Sequence, residues 1–298
     1  ARIEWAEGTY LAPVSNYGYA YLNRTAEVLA DHERVGRPGE WKILFVSHDA
    51  CLGGSQSVLL NILRWFKDHT RVTVKILLLS GGAWADRFNA ITGAVTLAQL
   101  QENDASEETA FQRLKAYCGG APDLIYANSV ASGRAFGLLK RFGKPILTHF
   151  HELPRSIAQY ARDCIDDVIG LSDHFVACSG AVRDSLTELR GVSPEKITTV
   201  PASITPLLDA EKSADLKQAA KAARRKLAPK GERLIFGCGI GMAFRKGADL
   251  FLDVAARVVA RGGRDVRFIW IGGFQVEERD AELGRWGYHL SRLKQDRL

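Results

Sequence analysis

Long hydrophobic runs are missing from this chain of 298 residues. None approaches the ~18 apolar residues that a membrane-spanning helix needs, and the longest, such as Val72 to Leu79, have the length of a strand. The opening Ala1-Arg-Ile-Glu-Trp5 has no apolar signal-peptide core and no initiator Met, so a processed or cut start is expected. Cysteine is scarce as well. Cys51, Cys118, Cys164, Cys178 and Cys238 are odd in number, scattered, and never spaced Cys-x-x-Cys. That spacing argues against a disulfide scaffold and a zinc site, and suits reduced thiols in a cytoplasmic protein. The basic residues are not interleaved with aromatics in any nucleic-acid-binding pattern, so no nucleic acid partner is expected.

What is present is ordinary globular material, 46% hydrophobic and 25% charged, enough for one large or two ordinary domains. The net charge of +6 favours anionic partners: nucleotides, phosphates, or an anionic membrane surface touched peripherally at its inner face. One basic run, Lys217 to Lys230, lies on an expected helix. It reads either as a solvated face or as a membrane-surface or polyanion patch.

Residues 1–39 stand apart, with Tyr10, Tyr17, Tyr19 and Tyr21, a helical stretch from Leu22 to His32 and a polar linker to Gly39. They form an N-terminal arm or the tail of an upstream domain. From residue 40 to 203 strand-like runs recur: Lys42–Ser47, Val72–Leu79, Val95–Leu100, Leu124–Asn128, Ile146–His151, Phe175–Ser179 and Ile197–Val200. Most are continuous Val/Ile/Leu/Phe runs, as expected for strands covered on both faces. Apolar helical stripes lie between several of them, one from Val58 to Phe66 and another from Ile157 to Val168. Such alternation predicts an α/β fold with a parallel, doubly wound sheet. Residues 204–231 read as a charged, alanine-rich connector, and residues 232–298 as a second, partial α/β lobe. Two strands and two or three helices are too few for an independent lobe, so continuation past Leu298, or a covering partner, is expected.

Two glycine-rich turns follow strands. At Gly53-Gly54 the backbone can approach a ligand before a helix begins at Ser55. Around Arg245-Lys246-Gly247, backbone N–H groups, a helix N-terminus and two cations converge as a phosphate or diphosphate would require. The simpler readings are a tight strand–helix turn and a solvated lysine. His149, His151 and Glu152 sit at the carboxyl end of an expected buried strand, where open α/β sheets place ligands. Asn128 and Ser179 end other strands at the same edge, as cleft-lining groups or as helix caps. A His-x-His pair on a strand turns both rings to one face, but without a third ligand close in sequence no metal is expected.

Four segments resemble family 4 glycosyltransferases of the GT-B fold: Phe45 to Ser55, Thr148 to Leu153, Phe175 to Pro201, and Arg245 to Phe251. The resemblance covers residues 42–298 and implies two Rossmann-like lobes facing across a cleft. It implies a retaining, metal-independent and cofactor-free transferase that moves a hexose-type sugar from a nucleotide-sugar to a glycan or lipid-linked acceptor. Lys246, helped by Arg245, would stabilise the leaving diphosphate, and His151 would line the sugar subsite beside the Gly53-Gly54 loop. The family's Gly-Arg ahead of the lysine, its Asn-Gly after Val200-Pro201 and its Glu-x7-Glu motif have no match in the chain. Those gaps leave open a degenerate, non-catalytic module that binds glycan or scaffolds a partner. A Rossmann dehydrogenase is disfavoured, because Gly237-Cys-Gly-Ile-Gly241 brings its third glycine one position early.

Overall fold

The first strand, β1 (Lys42–Ser47), shows why its run is apolar throughout. Successive side chains point to opposite faces of a strand, and here both faces are covered. Leu44 and Val46 enter one buried cluster, together with Leu77, Ile125 and Ala127. Ile43 and Phe45 enter the other, together with Ile76 and Leu78. A computed structural model describes residues 41–202, 210–239, 246–263 and 265–272, with side chains of the helix at 210–227 described from residue 217. The described residues divide into two compact units, 41–202 and 210–272.

The first unit carries a seven-stranded sheet in the order β3-β2-β1-β4-β5-β6-β7. Its strands β2 (Thr73–Leu78), β3 (Val95–Thr96), β4 (Leu124–Asn128), β5 (Ile146–Phe150), β6 (His174–Ala177) and β7 (Ile197–Thr199) are paired in parallel throughout. Helices α1 (Gly54–His69) and α2 (Ala85–Thr92) cover the Phe45 face. The opposite face is covered by α3 (Leu97–Leu100), α4 (Glu107–Cys118), α5 (Phe136–Leu139), α6 (Pro154–Tyr160), α7 (Ile165–Leu171) and α8 (Gly180–Arg190). This is the α/β, Rossmann-like lobe expected from the alternation of strands and helices.

Two expectations need correction. The run Val95–Leu100 is a strand only at Val95 and Thr96, because the Thr96 hydroxyl and the Gln99 amide form a capping box that starts a helix at Leu97. The apolar stripe from Ile157 to Val168 is two helices rather than one. Arg134 holds the break, its Nη2 donating to the Tyr160 carbonyl at 2.6 Å and its Nε donating to Asp163 at 2.8 Å.

Gly82 fixes the loops above β1 and β2. Its φ is +154°, and a Cβ there would lie 2.3 Å from the Ala50 carbonyl carbon and 2.5 Å from the Cys51 nitrogen. Ala50 N donates to Gly81 O at 3.1 Å and Trp84 N donates to Ala50 O at 2.8 Å, so the two loops are laced backbone to backbone.

The second unit contains α9 (Ala210–Leu227), β8 (Arg233–Cys238), α10 (Ala248–Ala260) and β9 (Val266–Ile271). β8 and β9 pair in parallel, and Phe251 of α10 packs edge-on against Phe268 and Trp270, each at 5.5 Å between ring centroids. Every α9 side chain from Lys217 to Leu227 is exposed. The expected arm at 1–39, the end of the second lobe from residue 273 and Arg245 lie outside the described residues.

Candidate active site

In an open parallel sheet the strand order reverses at one place, and the loops beyond the strands' carboxyl ends diverge there to leave a crevice. Here the reversal falls between β1 and β4. Ser47 and Asn128 are register partners at that edge, and Asn128 pairs in turn with His149. The residues that follow these strand ends are His48-Asp49, Ser129 and His151-Glu152.

On the β1 side, α1 begins at Gly53, an extended N-cap with no side-chain cap bond, and its first turn contains no acid. Its leading N–H groups and positive dipole end are therefore not answered by a carboxylate of its own first turn. Gln56 folds back from this turn. Its Nε2 donates to Asp49 Oδ1 and lies 3.1 Å from His48 Nε2, while Ser55 Oγ donates to Gln56 Oε1 at 2.9 Å. A Cβ on Gly53 would sit 2.1 Å from Gln56 Oε1, so glycine at this position leaves Gln56 its place.

On the β4–β5 side, Asn128 is fully buried and bridges two elements. Its Nδ2 donates to Ser55 O of α1 at 3.1 Å, and its Oδ1 lies 2.9 Å from His151 Nε2. His149 and His151 project to the same face, as the alternation predicts, with ring centroids 4.0 Å apart and 35° between planes. Tyr126 reaches diagonally across the sheet to place its hydroxyl 2.6 Å from His149 Nδ1. His149 Nε2 is buried and has no hydrogen-bond partner among the described residues.

Glu152 ties the loops together. Its carboxylate accepts from Ser129 Oγ, from Val130 N at 3.4 Å and from His151 N at 3.0 Å. Between them, Ser129 adopts φ +78° and ψ 148°, a region that normally admits only glycine. The strain is held in place by the hydroxyl's bond to Glu152 and by Ser129 N donating to His149 O at 2.8 Å.

Burial holds His149 well below its ordinary pKa, and the neighbouring His151 pushes in the same direction. Burial also lowers His151, partly offset by the Glu152 carboxylate and reinforced by His48. Both rings are neutral near pH 7. Two neutral imidazoles and two amides, flanked by the Asp49 and Glu152 carboxylates, can exchange hydrogen bonds with a polyhydroxylated ligand.

Of the residues singled out from sequence, Gly53, Gly54, Asn128, His149, His151 and Glu152 come together in this unit through the Asn128–Ser55 bridge. Ser179, just past the end of β6, caps α8, its Oγ accepting from Val182 N at 3.3 Å. Lys246 and Gly247 belong to the second unit. Gly247, at φ +70°, is the N-cap of α10, and Asp249 in the first turn places a carboxylate at the same helix end. Among the described residues, no group of three or more His, Cys, Asp and Glu is arranged to hold a metal ion. No helix of the described residues is long and apolar enough to cross a membrane.

Sequence reasoning missed Asp49, Gln56 and Tyr126, and gave His48 no role. A signal existed for the first pair: His48-Asp49 directly follows a wholly apolar strand, at the edge where ligands are expected. Nothing local marks Gln56 or Tyr126, whose partners are set by chain reversal and strand register.

A family model described as Glycosyltransferase Family 4 matches residues 52–206, just over half of the 298 residues. No curated protein matches the chain. Among solved structures, a glycosyltransferase from Rickettsia africae ESF-5 is 15% identical over 86% of this chain, with a TM-score of 0.51. The alignment spans 66% of that protein, just under two thirds of its length. An α,α-trehalose-phosphate synthase (UDP-forming) from Burkholderia vietnamiensis is 12% identical over 87% of this chain and 70% of its own, with a TM-score of 0.54. The N-terminal domain of Candida albicans trehalose-6-phosphate phosphatase gives the same identity and coverages, 12%, 87% and 70%, with a TM-score of 0.55. At such identities the likeness concerns the fold.

Proposed function

Because the chain belongs to glycosyltransferase family 4, we propose that it moves a hexose-type sugar, with retention, from a nucleotide-diphosphate-sugar to a glycan or lipid-linked acceptor. The observation that carries this reading is the polar cluster at the β1–β4 reversal, where His151, Asn128 and Gln56 gather beside the uncapped start of α1. Hydroxyl-rich ligands suit such a cluster, because a hydroxyl can both donate to and accept from the imidazole and amides, and can donate to the Asp49 and Glu152 carboxylates beside them.

Breaking the bond between sugar and diphosphate leaves negative charge on the departing nucleotide. Lys246, ahead of the α10 N-terminus, supplies a cation for that charge in this proposal, with Arg245 assisting and no metal required. Asp249 answers part of the same helix end, so the lysine rather than the helix dipole carries the larger share. His151 takes a hydroxyl of the sugar or of the acceptor. The basic face of α9 gives the molecule a means of resting on an anionic membrane that presents a lipid-linked acceptor.

The test is a transfer and donor-binding screen with nucleotide sugars, beginning with UDP-sugars because the Burkholderia relative is UDP-forming. Lys246→Ala should reduce transfer by at least ~100-fold, or about 2.7 kcal/mol, and a chelator should leave the rate unchanged. Near-normal transfer by Lys246→Ala would reject the lysine's role. Tight acceptor binding without any donor affinity would instead favour the non-catalytic module.

A further inference from the structure

We propose that Asn128 is a positioning residue that fixes His151 in its Nε2–H tautomer, so that the ring offers Nδ1 to a hydroxyl and turns away phosphate. The part concerning the ligand rests on the glycosyl-transfer reading above; the tautomer does not.

The argument begins with the amide, whose two ends are chemically distinct. The Ser55 carbonyl can only accept a hydrogen bond, so the Asn128 atom 3.1 Å from it must be the NH2 group. That orientation aims Oδ1, which can only accept, at His151 Nε2 across 2.9 Å. The imidazole must therefore carry its proton on Nε2. Asn128 is fully buried, so exchange of these partners for bulk water is not available to relax the choice. His149 lies against the ring at 4.0 Å between centroids, and Glu152 holds the His151 backbone through its main-chain N–H at 3.0 Å.

A neutral ring protonated on Nε2 has a lone pair on Nδ1 and nothing there to donate. Phosphate oxygens near neutral pH also chiefly accept, so Nδ1 and a diphosphate would face each other as two acceptors. A sugar or acceptor hydroxyl can donate to Nδ1. The lock thus sorts ligands at this spot by hydrogen-bond polarity, before any contact that reads sugar stereochemistry.

The experiment is nitrogen-15 NMR of the full chain labelled at histidine, with His151 assigned by loss of its signals in His151→Gln. The wild-type protein should show His151 protonated on Nε2 and lone-paired on Nδ1. Asn128→Ala should yield a mixture of tautomers and lower kcat/KM for transfer by roughly tenfold. Asn128→Asp loses the donor to the Ser55 carbonyl but keeps an acceptor for Nε2–H, so it should raise the ring's titration and, above that titration, show the Nε2–H tautomer alone. A wild-type ring protonated on Nδ1 overturns the proposal, and needs no variant to be seen. So does an Asn128→Ala ring that remains wholly Nε2–H. Should the tautomer behave as expected while Asn128→Ala transfers normally, the claim about the hydroxyl fails by itself. Should no nucleotide sugar serve the wild-type protein, the glycosyl-transfer reading fails and takes that claim with it, leaving the tautomer result standing.

Discussion

Acidification should weaken the first unit through His149. The ring is 2% exposed and held well below the ordinary imidazole value of 6.5, first by burial and then by His151. In the unfolded chain the same ring titrates near that ordinary value. Above it, neither state binds the proton and the stability is complete. As the pH falls below 6.5 the unfolded chain takes up a proton that the folded protein refuses, so stability drops by about 1.4 kcal/mol per pH unit for this one group. From pH 7 to about pH 5 a ring that stays neutral throughout in the folded protein costs about 2 kcal/mol, the ceiling for this group. Carboxylates and His151 add their own losses, so the quantity to measure is a difference of differences. Urea unfolding of wild type and His149→Gln at the two pH values supplies it, because glutamine retains a polar partner for the Tyr126 hydroxyl and does not titrate. The variant should lose up to about 2 kcal/mol less than the wild type on acidification. Equal losses, within about 0.5 kcal/mol, would refute the reasoning and mean that the folded protein accepts the proton on His149 after all.

Glu152→Ala removes the acceptor for three donors and the hydroxyl bond that holds Ser129 at φ +78°. Urea unfolding should register a loss of about 3 kcal/mol, with Glu152→Gln costing less, and a loss below about 0.5 would contradict the clamp. Gly82→Ala places a methyl group 2.3 Å from the Ala50 carbonyl carbon, whereas Gly81→Ala meets nothing within 4 Å. The first should therefore cost about 3 kcal/mol or more and the second only a few tenths, a contrast readable from paired melting curves.

The fold was legible because its signals are local. Continuous apolar runs arise where both faces of a strand are covered, and β1 divides its side chains between two cores for that reason. The placement of His149 and His151 on one face likewise follows from the alternation of a strand, needing no knowledge of its neighbours. The shared edge for Gly53, Asn128 and His151 follows from parallel pairing, which brings all carboxyl ends of the strands to one side.

The misread segments are those where a side-chain hydrogen bond overrides the hydrophobic pattern. The Ile157–Val168 stripe repeats at helical spacing, yet Arg134 ends the helix from 26 residues away by taking the Tyr160 carbonyl. The run Val95–Leu100 likewise has strand composition throughout, and the Thr96–Gln99 capping box turns its second half into a helix. The sequence by itself determined the α/β layering and which strand ends carry polar groups, since both depend on side-chain periodicity of two or of 3.6 residues. Tertiary structure alone decided the direction of each hydrogen bond in the cluster, Asn128 reaching 73 residues back to Ser55 and 23 forward to His151. A donor or acceptor acquires its role only from the group placed opposite it, and strand register together with chain reversal determines which group that is.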